Sequence, residues 1–142
     1  MMKSPSRKIL SLLLVMAMLL SVLPISTLAA DNAPRYNDTS GHWAEAAIEV
    51  WSEYGVLAGY NGSFRPNAPI TRAEMAAVLD RVMRYQSTDS PAFTDVNLSA
   101  WYYDNVRHLA AAGVVVGVGN NQFAPERSIT REEAVVMIGR AF

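Results

Sequence analysis

Apolar residues recur at helical spacing in four stretches of the chain. From Glu45 to Tyr54, the residues Ala47, Val50, Trp51 and Tyr54 fall on one face and Glu45, Glu49 and Glu53 are spaced on the other, with Gly55 as the stop. A second helix is predicted from Arg72 to about Arg84, with Met75, Val78, Leu79 and Val82 as its apolar side. In the third stretch Val106, Leu109 and Ala110 form a stripe that ends before Gly113, while Asn105, His108, Leu109 and Ala112 match the apolar face of the first helix. The fourth begins at Arg131. The segments between, "VLAGYNGSFRPNAP" and "VVVGVGNNQFAPER", are rich in Gly, Asn and Pro and allow at most a short extended piece at Val114 to Val116. The pattern predicts an all-α chain of two helix-loop-helix units.

The two units are copies of each other. Asp38 matches Asp95, Trp43 matches Trp101, Gly55-Val56 matches Gly113-Val114, and Gly59 matches Gly117. Phe64 matches Phe123, Pro66 matches Pro125, and Ile70-Thr71-Arg72 with Glu74 matches Ile129-Thr130-Arg131 with Glu133. The offset drifts from 57 through 58 to 59, so the second copy has gained one residue before its Trp and another in the loop before Phe123. Insertions confined to loops are what a structural repeat allows. The expected organisation is residues 1–30, a first repeat at 31–85, a polar Pro-containing linker at 86–92 ("QSTDSPA") and a second repeat at 93–142.

Thr71 with Glu74, and Thr130 with Glu133, have the spacing of a capping box, in which hydroxyl and carboxylate each accept from an unpaired N–H of the first turn. The Arg between them is not explained in this way. A cation at the first helical position faces the positive end of the helix dipole, which disfavours it by a few tenths of a kcal/mol. A helix start is also an anion site, and an Arg there adds a charge-assisted fork once a carboxylate is bound. Arg72 and Arg131 are therefore candidates for binding an anion; the plain alternative is an exposed side chain or an ion pair with Glu74 or Asp38.

Residues 1–30 carry Lys3, Arg7 and Lys8, then the apolar run Ile9 to Leu23, Pro24, and small residues up to Ala30. That order is the one of a secretory signal peptide, and the run is shorter than the roughly 20 apolar residues needed to span a bilayer. Cleavage is expected after Ala29 or Ala30. It would remove three positive charges and no negative ones, taking the formal net charge from −1 to −4. Such a balance does not suggest a nucleic-acid partner. All nine basic residues after position 30 are Arg, and there is no Cys, so an exported chain must be held by its core.

With an aromatic-x-Asp start (Tyr36 to Asp38, Phe93 to Asp95), a Trp opening the first helix, a "GVLAGYNGSFRP" loop and an "ITRAE" box, each unit resembles the S-layer homology (SLH) domain, over residues 36–85 and 93–142. The resemblance implies repeats that normally come in threes and pack as a pseudo-threefold helical prism. Grooves between neighbours would bind secondary cell-wall polymer, often through a pyruvylated amino sugar, and so hold a secreted protein on the bacterial envelope. Carried over by motif, the implied binding residues are Arg72, Arg131, Asp38, Asp95, Trp43, Trp101, Gly59 and Gly117. A third repeat in cis, or other SLH chains, are implied partners. The second copy departs from the pattern with "TREE" and with Val118 where the first has Tyr60.

Simpler roles compete for these residues. Large aromatics at helix starts are usually buried, so Trp43 and Trp101 are expected in the core. Asp38 and Asp95 are expected to cap or brace the first helix or its loop, and Gly59 and Gly117 to be turn glycines with positive φ. His42 and His108 occupy unmatched positions. No metal-ligand spacing, nucleophile elbow or cofactor motif is present, so neither an enzyme nor a cofactor is expected. The other readings are a helical-repeat scaffold for protein partners, and the amino-terminal anchor fragment of a larger secreted enzyme.

Overall fold

A computed structural model describes residues 35–90 and 92–142. The expected signal peptide lies outside the described residues. Four helices follow in order: α1 (Glu45–Glu53), α2 (Arg72–Met83), α3 (Tyr103–Ala111) and α4 (Arg131–Ala141). Among the described residues there is no strand, only isolated bridges such as Tyr60 with Ser63 and Gly119 with Gln122. The fold is all-α, and no described helix is long and apolar enough to cross a membrane.

Local chemistry sets the helix ends. Both capping boxes form: Thr71 Oγ1 accepts from Glu74 N and Glu74 Oε2 from Thr71 N, and Thr130 and Glu133 repeat the exchange. Helix α1 stops where Gly55 takes φ 71° and the N–H groups of Gly55 and Val56 return to the carbonyls of Ser52 and Trp51. Helix α3 ends in the same way at Gly113. These are Schellman turns, which need a left-handed residue just past the helix. Asn61-Gly62 and Asn120-Asn121 take positive φ in pairs, the geometry of the tight turn that brings Tyr60 against Ser63 and Gly119 against Gln122.

The packing crosses from one repeat to the other. Helix α2 packs on α3 and α4, whereas α1 packs on none of the other described helices. Ala73, Ala76 and Leu79 of α2 share a buried cluster with Val106 and Leu109 of α3 and with Val114, Phe123 and Met137. Asp80 Oδ2 accepts from Asn105 Nδ2 at 2.8 Å and lies 2.9 Å from His108 Nδ1, tying α2 to α3 through polar groups as well. Both repeats thus fall within one compact unit.

Two expected faces are corrected. Val50, Trp51 and Tyr54, the apolar side read for α1, are exposed, and the residues of that helix that are buried are Ile48 and Ser52. On α2 the expected face is corrected only in part: Leu79 is buried and Met75 packs against the core, but Val82 is exposed and the buried face extends over the small residues Ala73, Ala76 and Ala77. A face of Ala lets a neighbouring helix approach closely, so side-chain size alone misplaces the contact. Val114 and Val115 are buried but form no strand.

Candidate functional site

Each repeat builds its loop around one carboxylate. Asp38 Oδ1 and Oδ2 accept from the N–H groups of Phe64 and Arg65 at 2.8 and 2.7 Å, and Asp95 does the same with Phe123 and Ala124, both at 2.8 Å. Arg65 and Ala124 stand at φ 60° and 57°, a left-handed conformation that a non-glycine residue adopts only when held there. The N–H of Phe64 holds the Asp38 carboxyl below its ordinary value, with further lowering from Arg65. The aspartates brace the loop that leads into the second helix.

The glycines have a different basis from the one expected. Neither Gly59 nor Gly117 has positive φ. A Cβ on Gly59 would stand 2.3 Å from Ser63 O and 2.5 Å from the Tyr36 ring, and one on Gly117 would stand 2.6 Å from Gln122 O and 3.0 Å from Phe93. The opening aromatic of each repeat lies against a bare backbone, and Tyr36 Oη also accepts from Gly59 N at 3.0 Å. Close approach, not turn geometry, requires glycine here.

Two clefts lie along the repeats. The first, about 250 Å³, is lined by the loop residues Phe64 and Arg65, by Glu74 and Arg81 of α2, and by Trp101 of the second repeat. Arg81 keeps one arm on Val56 O at 3.2 Å, and Arg65 reaches Glu74 at 3.1 Å. The second, about 420 Å³, is lined by Arg72, Gly117, Arg127, Glu133, Val136 and Arg140, among others. Glu74, Ala77, Val78 and Arg81 of the first cleft match Glu133, Val136, Met137 and Arg140 of the second at the repeat offset of 59. The clefts are therefore equivalent positions of the two repeats. The first has a Trp from the following repeat on its wall.

The two tryptophans are not core residues: Trp43 is 91% and Trp101 61% exposed. The buried positions near them in the chain are Thr39 in the first repeat and Val96 and Tyr102 in the second. The two box arginines differ from each other. Arg72 is 5% exposed. Its Nε donates to Phe123 O at 2.9 Å, Nη2 to Val116 O at 3.2 Å, and Nη1 lies 3.4 Å from Glu133 Oε1. Burial lowers its pKa from the usual guanidinium value, against the raising effect of Glu133. Arg131 is exposed and lines neither cleft.

Of the residues singled out in the sequence, the first cleft gathers Trp101 and Glu74, and the second gathers Arg72, Gly117 and Glu133. Asp38, Asp95, Trp43, Gly59, Thr71 and Thr130 are not on either lining. Sequence reasoning missed Arg81 and Arg140. The signal was available, since they match at the same offset of 59 in "LDRVM" and "IGRAF". Among the described residues no group of His, Cys, Asp and Glu could hold a metal ion.

The model of the S-layer homology domain matches the chain twice, at residues 35–76 and 92–135. The chain belongs to the S-layer homology domain family. It is 32% identical over 123 residues to the surface-layer 125 kDa protein of Lysinibacillus sphaericus, covering 86% of this chain and 10% of that protein. Against endo-1,4-beta-xylanase A of Thermoanaerobacterium saccharolyticum the identity is 35% over 100 residues, 69% of this chain and 9% of the xylanase. The cellulosome-anchoring protein of Acetivibrio thermocellus is 33% identical over 106 residues, 70% of this chain and 24% of that protein. The SLH repeats are thus a cell-surface anchoring module shared by surface-layer proteins and by enzymes, and this chain spans a quarter or less of the length of these relatives. What aligns with the xylanase is its SLH region.

Proposed function

We propose that the chain holds its protein on the bacterial envelope by binding an anionic cell-wall polysaccharide, pyruvylated on an amino sugar, in the cleft between the first repeat's loop and Trp101. The observation that carries this reading is the exposed Trp101 on the wall of a cleft that also presents Arg65 and Arg81. An indole offers an apolar face to a sugar ring and one N–H donor to a hydroxyl. The two guanidinium groups outnumber the single Glu74 carboxylate there, so the cleft favours an anion, and a pyruvyl ketal supplies a carboxylate suited to an Arg fork. In the second cleft Arg127 and Arg140 present the same chemistry, with Arg72 behind them. The names of relatives such as the surface-layer and cellulosome-anchoring proteins support attachment to the envelope.

The test is co-sedimentation of the full chain with purified wall polysaccharide, native and after mild acid removal of pyruvate. Binding to the native polymer, lost on depyruvylation and in Trp101→Ala, is expected. Equal binding to both polymers removes the pyruvate from the reading, and no binding to either removes the glycan.

A further inference from the structure

Each capping-box glutamate divides its carboxylate between two tasks. Glu74 Oε2 accepts from the Thr71 N–H at 2.8 Å, while Oε1 accepts from Arg65 Nη2 at 3.1 Å. Glu133 Oε2 accepts from the Thr130 N–H at 3.1 Å, while Oε1 accepts from Arg127 Nη2. One oxygen closes the helix start and the other holds a loop arginine. Both pairs stand on a cleft wall, Arg65 with Glu74 in the first cleft and Arg127 with Glu133 in the second.

The two arginines are not equivalent positions of the repeat. At the offset of 59, Arg65 corresponds to Ala124 and Arg127 to Ala68. The loop backbone is nevertheless the same, since Arg65 and Ala124 share their left-handed φ and their N–H bonds to Asp38 and Asp95. A guanidinium therefore reaches the same carboxylate oxygen from nine residues upstream in one repeat and from six in the other. What the repeats have in common is the pair, not the position that supplies it. Helix capping does not account for the pair, because the cap uses the other oxygen. Stability accounts for it poorly, because an exposed ion pair contributes little, and these arginine side chains are 66% and 43% exposed.

The pair has a consequence for an anion entering either cleft. The glutamate is fixed by its cap bond, so the exposed arginine is the partner that can move. A ligand carboxylate has to take the fork from a carboxylate that already holds it, and it does so best when both of its oxygens engage. We propose that Glu74 and Glu133 are built-in competitors, which hold Arg65 and Arg127 in the empty clefts and yield them to a ligand carboxylate, so that each cleft is occupied by the chain's own anion until a better one arrives. In the second cleft Glu133 Oε1 also lies 3.4 Å from Arg72 Nη1, so the glutamate keeps a cationic neighbour after Arg127 leaves. The exchange rests on the clefts taking an anionic glycan, as proposed above.

Co-sedimentation of the full chain and of Glu74→Gln and Glu133→Gln with native wall polysaccharide tests the exchange. Gln retains the capping box, and circular dichroism checks the helix content of each variant. Each substitution is expected to tighten binding by about two- to fivefold, the worth of a surface ion pair. Glu132→Gln removes a charge from the second cleft without breaking an arginine pair and should tighten binding less than Glu133→Gln. Carboxyl NMR of Glu133 reads the exchange directly. In the free chain Arg127 is the first cause that holds this carboxyl below its ordinary value. A soluble fragment of the native polymer, at saturation, should move its titration upward, as Arg127→Ala should without polymer. A parent that does not bind the native polymer overturns the glycan reading and this one with it. Where the parent binds, unchanged or weaker binding in both Glu→Gln variants, an equal gain in Glu132→Gln, or a Glu133 titration that the polymer leaves in place overturns the competitor alone.

Discussion

The Arg72 guanidinium lies 4.8 Å from the centroid of the Phe123 ring while its Nε donates to the carbonyl of that same residue. A side chain from the first turn of α2 thereby holds both the ring and the backbone of the second repeat's loop. The unfavourable dipole at that helix start is offset by hydrogen bonds made elsewhere, so the placement of Arg72 is explained by the joint between repeats. Arg131, with the same local sequence, has no equivalent loop within the described residues to reach.

The two arginines should accordingly separate in stability. Removing Arg72 leaves the carbonyl of Phe123 buried without its donor, and an unsatisfied buried group costs about 1–3 kcal/mol. Arg72→Ala is expected to lower the unfolding free energy by that amount in urea titrations, and Arg131→Ala to change it by less than about 0.5 kcal/mol, as for a plain surface position. Equal effects would show that the joint is not where Arg72 acts.

The repeat, both capping boxes and the four helices were legible because each rests on chemistry within a few residues: a hydroxyl three positions before a carboxylate, a glycine after a helical stripe. The packing partner of α2 was not, because Ala73 and Ala76 make no strong periodic signal and their contact, α3, lies across the linker. The aspartates were read as braces of the first helix or its loop, but their N–H donors 26 and 27 residues on could not be named from the sequence. Arg81 and Arg140 were within reach of the same offset that paired the other residues. Their place on a cleft wall is a tertiary fact.

Gly59 and Gly117 give a test of close approach against turn geometry. A methyl at either meets a backbone carbonyl, Ser63 O or Gln122 O, that the tight turn fixes. Gly59→Ala and Gly117→Ala should each destabilise by roughly 1–3 kcal/mol, the range for overpacking. Gly139→Ala, in the exposed part of α4 with nothing within 4 Å of the added Cβ, should instead stabilise by about 0.5–1 kcal/mol through helix propensity. Thermal and urea midpoints distinguish the two signs. A loss at Gly139 or no loss at Gly59 would contradict the geometry.

Arg81 should matter to binding more than to folding. It lines the first cleft and keeps one arm on Val56 O, so its other nitrogens are available to an anion. Arg81→Ala is expected to weaken binding to pyruvylated polymer by about 1.5–3 kcal/mol, the worth of a charged hydrogen bond, and Arg81→Lys to recover only part, because the fork is lost. Binding isotherms that match the parent for Arg81→Ala would exclude it from the site.

Acid should loosen the first loop through Asp38. Its carboxyl titrates below the ordinary value of 3.8, chiefly because the Phe64 N–H bonds the ionised form. Glu133 lies below its ordinary 4.5, first through its hydrogen bond with Arg127 and then through the Thr130 N–H. With a folded pKa below the unfolded one, the native state binds fewer protons in the interval between them, so stability rises with pH there. The contribution of each group is complete above its unfolded value and is lost as the pH falls toward the folded value. Urea midpoints should therefore stay level in this respect above about pH 5.5 and decline below the ordinary carboxylate range. Asp38→Asn should be less stable than the parent near neutrality and show a shallower decline in acid, so that the two curves converge. Parallel curves from pH 6 to pH 3 would mean that the two N–H bonds to Asp38 do not hold the loop in solution.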